Sequence, residues 1–177
     1  IDLEANSFVD GIFLGKNNEI EQYIIKITHT YNSPGVYTIS YREPNRNDEI
    51  VNINKGNSVQ TPFYIESQIL IDPFIGLNSS PVLLIPPIDR AGIGVKFIHN
   101  PGAFDADGDS LSYEMIVPKQ GPGDDVPNYI FPQNIGSGSD NIITLDPKTG
   151  TFTWKSPKIQ GEYNVAFKIN EYRQGVL

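Results

Sequence analysis

The chain contains no cysteine, a single methionine and a single tryptophan among its 177 residues. Without cysteine there can be no disulfide, no thiol nucleophile and no Cys-based zinc site. The absence is neutral about compartment. Basic residues are also scarce: 13 Lys and Arg stand against 21 Asp and Glu, giving a formal net charge of -8. Nucleic acid demands a basic footprint for its phosphates, so no nucleic-acid partner is expected. No apolar run is long enough to span a bilayer, and no charged segment followed by an apolar one marks a leader. No membrane insertion is expected in this segment. The ends, at Ile1 and in "RQGVL", read as those of a piece of a longer protein.

Helical patterning is missing as well. No window keeps apolar residues at i, i+3, i+4 and i+7, and Gly or Pro interrupts almost every long segment. Gly and Pro together make 30 of the 177 residues, about 17 per cent against a usual ~12 per cent. What the chain does have is period-two alternation. In "YIIKITHTY", Tyr23, Ile25, Ile27 and Tyr31 fall on one face, and in "VYTISY", Tyr37, Ile39 and Tyr41 do so. "FYIESQILI" and "SLSYEMIV" repeat the pattern, the latter through Leu111, Tyr113, Met115 and Val117. Alternation with one buried face marks antiparallel sheets, so the expected fold is all-β.

An internal echo organises the chain. Gly35-x-Tyr37-x-Ile39-x-Tyr41 matches Gly161-x-Tyr163-x-Val165-x-Phe167. A turn glycine followed by an inward Tyr suits a sandwich corner, where the ring is buried and the hydroxyl bonds back to backbone. The expected architecture is therefore two tandem antiparallel β-sandwiches, one over residues 1–76 and one over 77–177. The boundary is placed in "DPFIGLNSSPVLLIPP", where poor strand formers precede a fresh apolar run. The first unit is short for a seven-strand sandwich of ~100 residues, and is expected to be reduced or to lack its first strand.

These segments resemble known modules. "HTYNSPGVYTISY" resembles the closing hairpin of PKD-type immunoglobulin-like domains. "NSSPVL", "FDADGDSLSY", "ITLDPKTGTFTW" and "GEYNVAFKINE" resemble, in that order, successive segments of cadherin-like and dystroglycan-type cadherin-like domains, covering residues 78–171. Such modules occur in tandem in large surface proteins of bacteria. The resemblance implies an extracellular or cell-surface location, with roles in adhesion, spacing and glycan binding.

The stretch "AFDADGDSLSY" carries aspartates at 105, 107 and 109. Calcium takes six to eight hard oxygens, and alternate aspartates in a loop can converge on one ion. An EF-hand loop counted from Asp105 would need Gly and Glu where Ser110 and Ile116 stand, so it is not one. By the cadherin-like resemblance, Asp105 and Asp107 match a calcium-clamping pair and Asn78 falls in the linker. That linker, "GLNSSP", lacks an acidic run, and "SPKIQGEY" replaces the acidic stretch that follows the "DPKTG" hairpin. The expected ligand set is Asp105, Asp107, Asp109 and Asn78, with weak affinity of ~10⁻⁴ to 10⁻³ M. The alternative is that Asp105 and Asp109 form Asx-turns, with Gly108 supplying an unusual backbone angle.

His29 and His99 are far apart in sequence, and His29 is expected on the inward face of a strand as a core residue. A zinc site would then need carboxylates from unrelated loops. Glu43 and Glu171 close the two echoed strands and are expected at the rim in a structural role. No G-x-S-x-G or phosphate-cradling glycine loop is present, and no carboxylate pair marks a cleft of the kind a glycosidase needs. The expectation is a non-enzymatic adhesion and spacer module. Its partners would be the neighbouring domains of the same chain and a protein or glycan surface ligand. The rival reading is a carbohydrate-binding module attached to an exported polysaccharide-degrading enzyme. It rests on Tyr129 and Phe131 in the long polar connection 118–141, whose rings can stack on sugars or pack against the core. Trp154 is expected in the core.

Overall fold

A computed structural model describes residues 7–14, 20–173, 175 and 177. The all-β expectation holds: thirteen strands are found among these residues, with three single-turn 3₁₀ helices and no α-helix. Tertiary contacts divide the chain into two units, 1–34 and 35–177.

The first unit holds an antiparallel pair, β1 (Ser7–Leu14) and β2 (Ile20–Lys26), whose register slips between Val9 and Ile12. Strand β2 stops at Lys26, so His29 lies beyond it. It is exposed, with its ring edge-on to Tyr31 at 4.6 Å. The expectation of a core histidine is corrected there, because the alternating "ITHT" continues past the end of the ladder.

In the second unit, β3 (Gly35–Glu43) and β4 (Phe63–Ile71) form a nine-residue antiparallel ladder. Strand β4 also pairs with β9 (Lys119–Gly121), and β9 with β10 (Asp124–Asp125), so the sheet order is β10-β9-β4-β3. The pair β5 (Val82–Leu83) and β7 (Ala103–Phe104) is short. A three-stranded sheet runs β11 (Ile143–Leu145), β12 (Phe152–Trp154), β6 (Phe97–His99). Finally β8 (Ser110–Ile116) pairs with β13 (Ala166–Tyr172) over seven residues. Residues on both sides of position 76 therefore share one sheet, through β4 and β9. They also meet where Val51 N–H donates to the Glu162 carbonyl at 3.0 Å.

The alternation of β3 was expected to bury Tyr37, Ile39 and Tyr41. Tyr37 is half-buried, but Ile39 and Tyr41 remain 47% and 48% exposed, as does Ile65 opposite Tyr41, at 54%. The densest packing lies elsewhere. Ile50, Ile53 and Val126 form a buried cluster against which Tyr129 packs. Ile50 and Ile53 come from an irregular segment that carries no alternation. Burying each such side chain contributes about 1.5–3 kcal/mol. Asn52 makes the segment possible: its amide donates to the Asn164 carbonyl (2.8 Å) and accepts from the Asn164 N–H (2.9 Å), replacing a ladder rung. Trp154 and Phe152 are buried side by side on β12, and Trp154 Nε1–H donates to Asn141 Oδ1 at 2.8 Å. Trp154 is in the core, as expected.

The echoed glycines share a conformation. Gly35 and Gly161 both have φ of 155°, and a Cβ on Gly161 would meet Val51 Cγ1 at 2.7 Å. The Tyr163 hydroxyl donates to the Ile159 carbonyl at 2.8 Å, the back-bonding expected of a sandwich corner.

Candidate metal centre

The aspartate loop joins β7 to β8, and its shape follows from one side chain. Asp105 is only 8% exposed. Its Oδ1 accepts the N–H groups of Asp107 (2.9 Å) and Asp109 (3.0 Å), while Gly108, at φ 80°, turns the chain in a region that favours glycine. This is the Asx-turn expected at Asp105; the Asp109 carboxylate, expected to form another, faces Arg173 instead. The Asp105 turn uses one oxygen. The other, Asp105 Oδ2, is buried and accepts no hydrogen bond, a state that costs about 1–3 kcal/mol or more for a charged group.

Sheet register supplies the carboxylate that faces it. The pairing of β13 with β8 sets Glu171 opposite Leu111 and Tyr172 opposite Ser110. Directly opposed residues share a face, so Glu171 extends the row Phe167 and Ile169, opposite Met115 and Tyr113, to the rim where β8 begins. There, one oxygen each of Asp105, Asp109 and Glu171 lie within 4.8 Å of one another. Calcium–oxygen distances of 2.3–2.6 Å place ligands on opposite sides of an ion about 4.6–5.2 Å apart. The triad has the spacing to hold a metal ion. Burial raises the Glu171 carboxyl above its ordinary range; the Asn78 amide works against that, while the Asp105 and Asp109 charges add to it.

The other expected ligands have different partners. Asp107 Oδ2 accepts the Ser79 N–H at 2.6 Å and lies 3.6 Å from Arg173 Nη2. The Ser79 N–H, followed by the Arg173 charge, holds its carboxyl below the ordinary range. Asn78 presents its Nδ2 donor to Glu171 Oε1, so its amide must rotate to offer Oδ1 to a cation. Arg173 Nε is 3.0 Å from Asp109 Oδ2, yet its N–H is directed to Oδ1 at 3.4 Å, leaving Oδ2 without a hydrogen bond. Arg173 Nη1 also donates to the Leu77 carbonyl. Residues 77–79, between β4 and β5, are thus fastened to the aspartate loop and to β13 by three side chains.

Tyr129 and Phe131 pack edge-to-face with centroids 5.2 Å apart. Tyr129 lies against the Ile50 cluster, its hydroxyl donating to the Asn164 carbonyl at 3.0 Å, and burial raises its phenol pKa strongly. Two shallow hollows, one lined by Asp48, Glu49 and Gln160–Glu162 and one by Arg42, Pro62 and Gln120–Pro122 with Asp124, include none of the triad. Among the described residues no helix is long and apolar enough to cross a membrane. No protein family, curated protein or solved structure matches the chain.

Proposed function

We propose that the chain is a non-enzymatic adhesion and spacer module of a larger extracellular or cell-surface protein, in which calcium held by Asp105, Asp109 and Glu171 stiffens the connection 77–79. One observation carries the metal reading: a buried carboxylate oxygen with no donor, Asp105 Oδ2, beside two further carboxylates at ligand spacing. The adhesion role rests on the cadherin-like resemblance over residues 78–171, with β-sheet corners and loops exposed for contact. The carbohydrate-binding alternative draws less support, since the Tyr129 ring and hydroxyl are already engaged within the protein.

Isothermal calorimetry with calcium tests the site. The expected result is one ion with Kd of ~10⁻⁴ to 10⁻³ M, lost in Asp105→Asn. No heat at millimolar calcium, together with an empty loop in crystals grown with calcium, overturns it. Adhesion is tested separately, by bead aggregation of the displayed chain with and without calcium.

A further inference from the structure

We infer that Arg173 is the built-in counter-ion of this centre and competes with the divalent cation for Asp109. The inference rests on the metal reading proposed above and concerns its regulation. Four carboxylates gather here, Asp105, Asp107, Asp109 and Glu171, and Arg173 is a cation set against two of them, Asp107 and Asp109. The Arg173 side chain is only 17% exposed and that of Asp109 10%, which excludes much of the solvent that would otherwise screen these charges. Asp109 is the shared member: it belongs to the triad, and its two oxygens lie 3.4 and 3.0 Å from Arg173 Nε.

A carboxylate that closes on a divalent ion turns its oxygens toward that ion, and the guanidinium loses the partner it holds. Charge works in the same direction. A unit positive charge about 5 Å from a divalent ion opposes its binding by a factor on the order of ten, even at the dielectric of water. Arg173 also donates to the Leu77 carbonyl. The same side chain therefore keeps its bond to residue 77 through Nη1 while its Nε is drawn off Asp109 when the ion enters. The two cations are alternatives at one carboxylate.

The test is calcium calorimetry on the folded wild type and Arg173→Gln, with Arg173→Lys as the charge-retaining control. Arg173→Gln is expected to bind on the order of tenfold more tightly, and Arg173→Lys within about threefold of wild type. Calcium binding to Arg173→Gln alone also supports the inference. Wild type that binds calcium with Arg173→Gln no tighter overturns the inference and leaves the metal reading standing. Silence from both chains removes both. A second readout needs no variant: the Arg173 Nε–H resonance of the wild type, followed by NMR during calcium titration. It should shift and exchange faster as its bond to Asp109 is lost; an unchanged resonance at saturation overturns the inference even if Arg173→Gln fails to fold.

Discussion

Glu171→Gln separates the electrostatic cost of the triad from its use. Glu171 lies within 4.8 Å of ligand oxygens on Asp105 and Asp109. Two unit charges at that distance repel by about 0.9 kcal/mol at the dielectric of water and about 3.5 kcal/mol at an effective value of 20. Partial solvent access and the Arg173 charge reduce the sum over two neighbours, so about 1–2 kcal/mol should be recovered when the charge is removed. Gln keeps an oxygen to accept the Asn78 amide and loses no backbone bond, unlike a change at Asp105. In EDTA the variant should therefore be more stable than wild type, by about 3–6 °C for a domain near this size. In 5 mM calcium the order of gains reverses. With Kd between 10⁻⁴ and 10⁻³ M, wild type gains about 1.1–2.3 kcal/mol, whereas the variant, lacking one ligand charge, gains much less. Trp154 is the sole tryptophan and is buried in the 35–177 unit, so its fluorescence follows that unit during urea unfolding. A variant less stable than wild type in EDTA, or one with an undiminished calcium gain, would refute the reasoning.

Other substitutions probe the scaffold, each read by the same fluorescence. Gly150→Ala sets a Cβ 2.6 Å from the buried Tyr113 ring at a φ of 70°, and should cost about 2–4 kcal/mol; a loss under about 1 kcal/mol would contradict that contact. Asn52→Ala removes both bonds to the Asn164 backbone and should cost about 2–4 kcal/mol, whereas near-neutrality would show that the rung is dispensable. Ile39→Thr, on the open face of β3, should change stability by no more than about 0.5 kcal/mol; a loss above about 1.5 kcal/mol would show that this face is covered in solution. Lys119, then Tyr64, lowers the Glu66 carboxyl below its ordinary 4.5. Its contribution is therefore present above that pH and lost as pH falls through the lowered value. Lys119→Met should weaken the fold at pH 7 and flatten this acid limb; parallel pH profiles would exclude the pair as its source.

The longer strands β2, β3, β4 and β8 are legible in the sequence because each needs only its own alternation, whereas two-residue strands such as β5, β7 and β10 carry none. Leu111, Tyr113 and Met115 do line one face of β8. What alternation cannot say is whether a face will be covered, and Ile39 and Tyr41 show the difference. The core residues Ile50 and Ile53 escaped because they sit in irregular backbone, ordered by the Asn52 amide rather than by a period. The aspartate loop was visible because its residues are adjacent in the chain. Glu171 was seen only as a rim residue, since its meeting with Asp105 depends on the β8–β13 register, sixty residues apart. With that pairing assumed, Glu171 opposite Leu111 would have signalled a fourth acidic group. Asp107 falls in the motif's ligand pair, yet the structure joins it to Ser79 and Arg173, and neither partner can be inferred from a local motif.

The division of labour within Asp105 bears on how the loop would respond to loss of the proposed ion. One oxygen already settles the contour of the loop by gripping two N–H groups, so the hollow is moulded before any metal arrives. On the calcium reading proposed above, depletion should then leave the loop and its bonds to residues 77–79 standing, and replenishment should need no refolding.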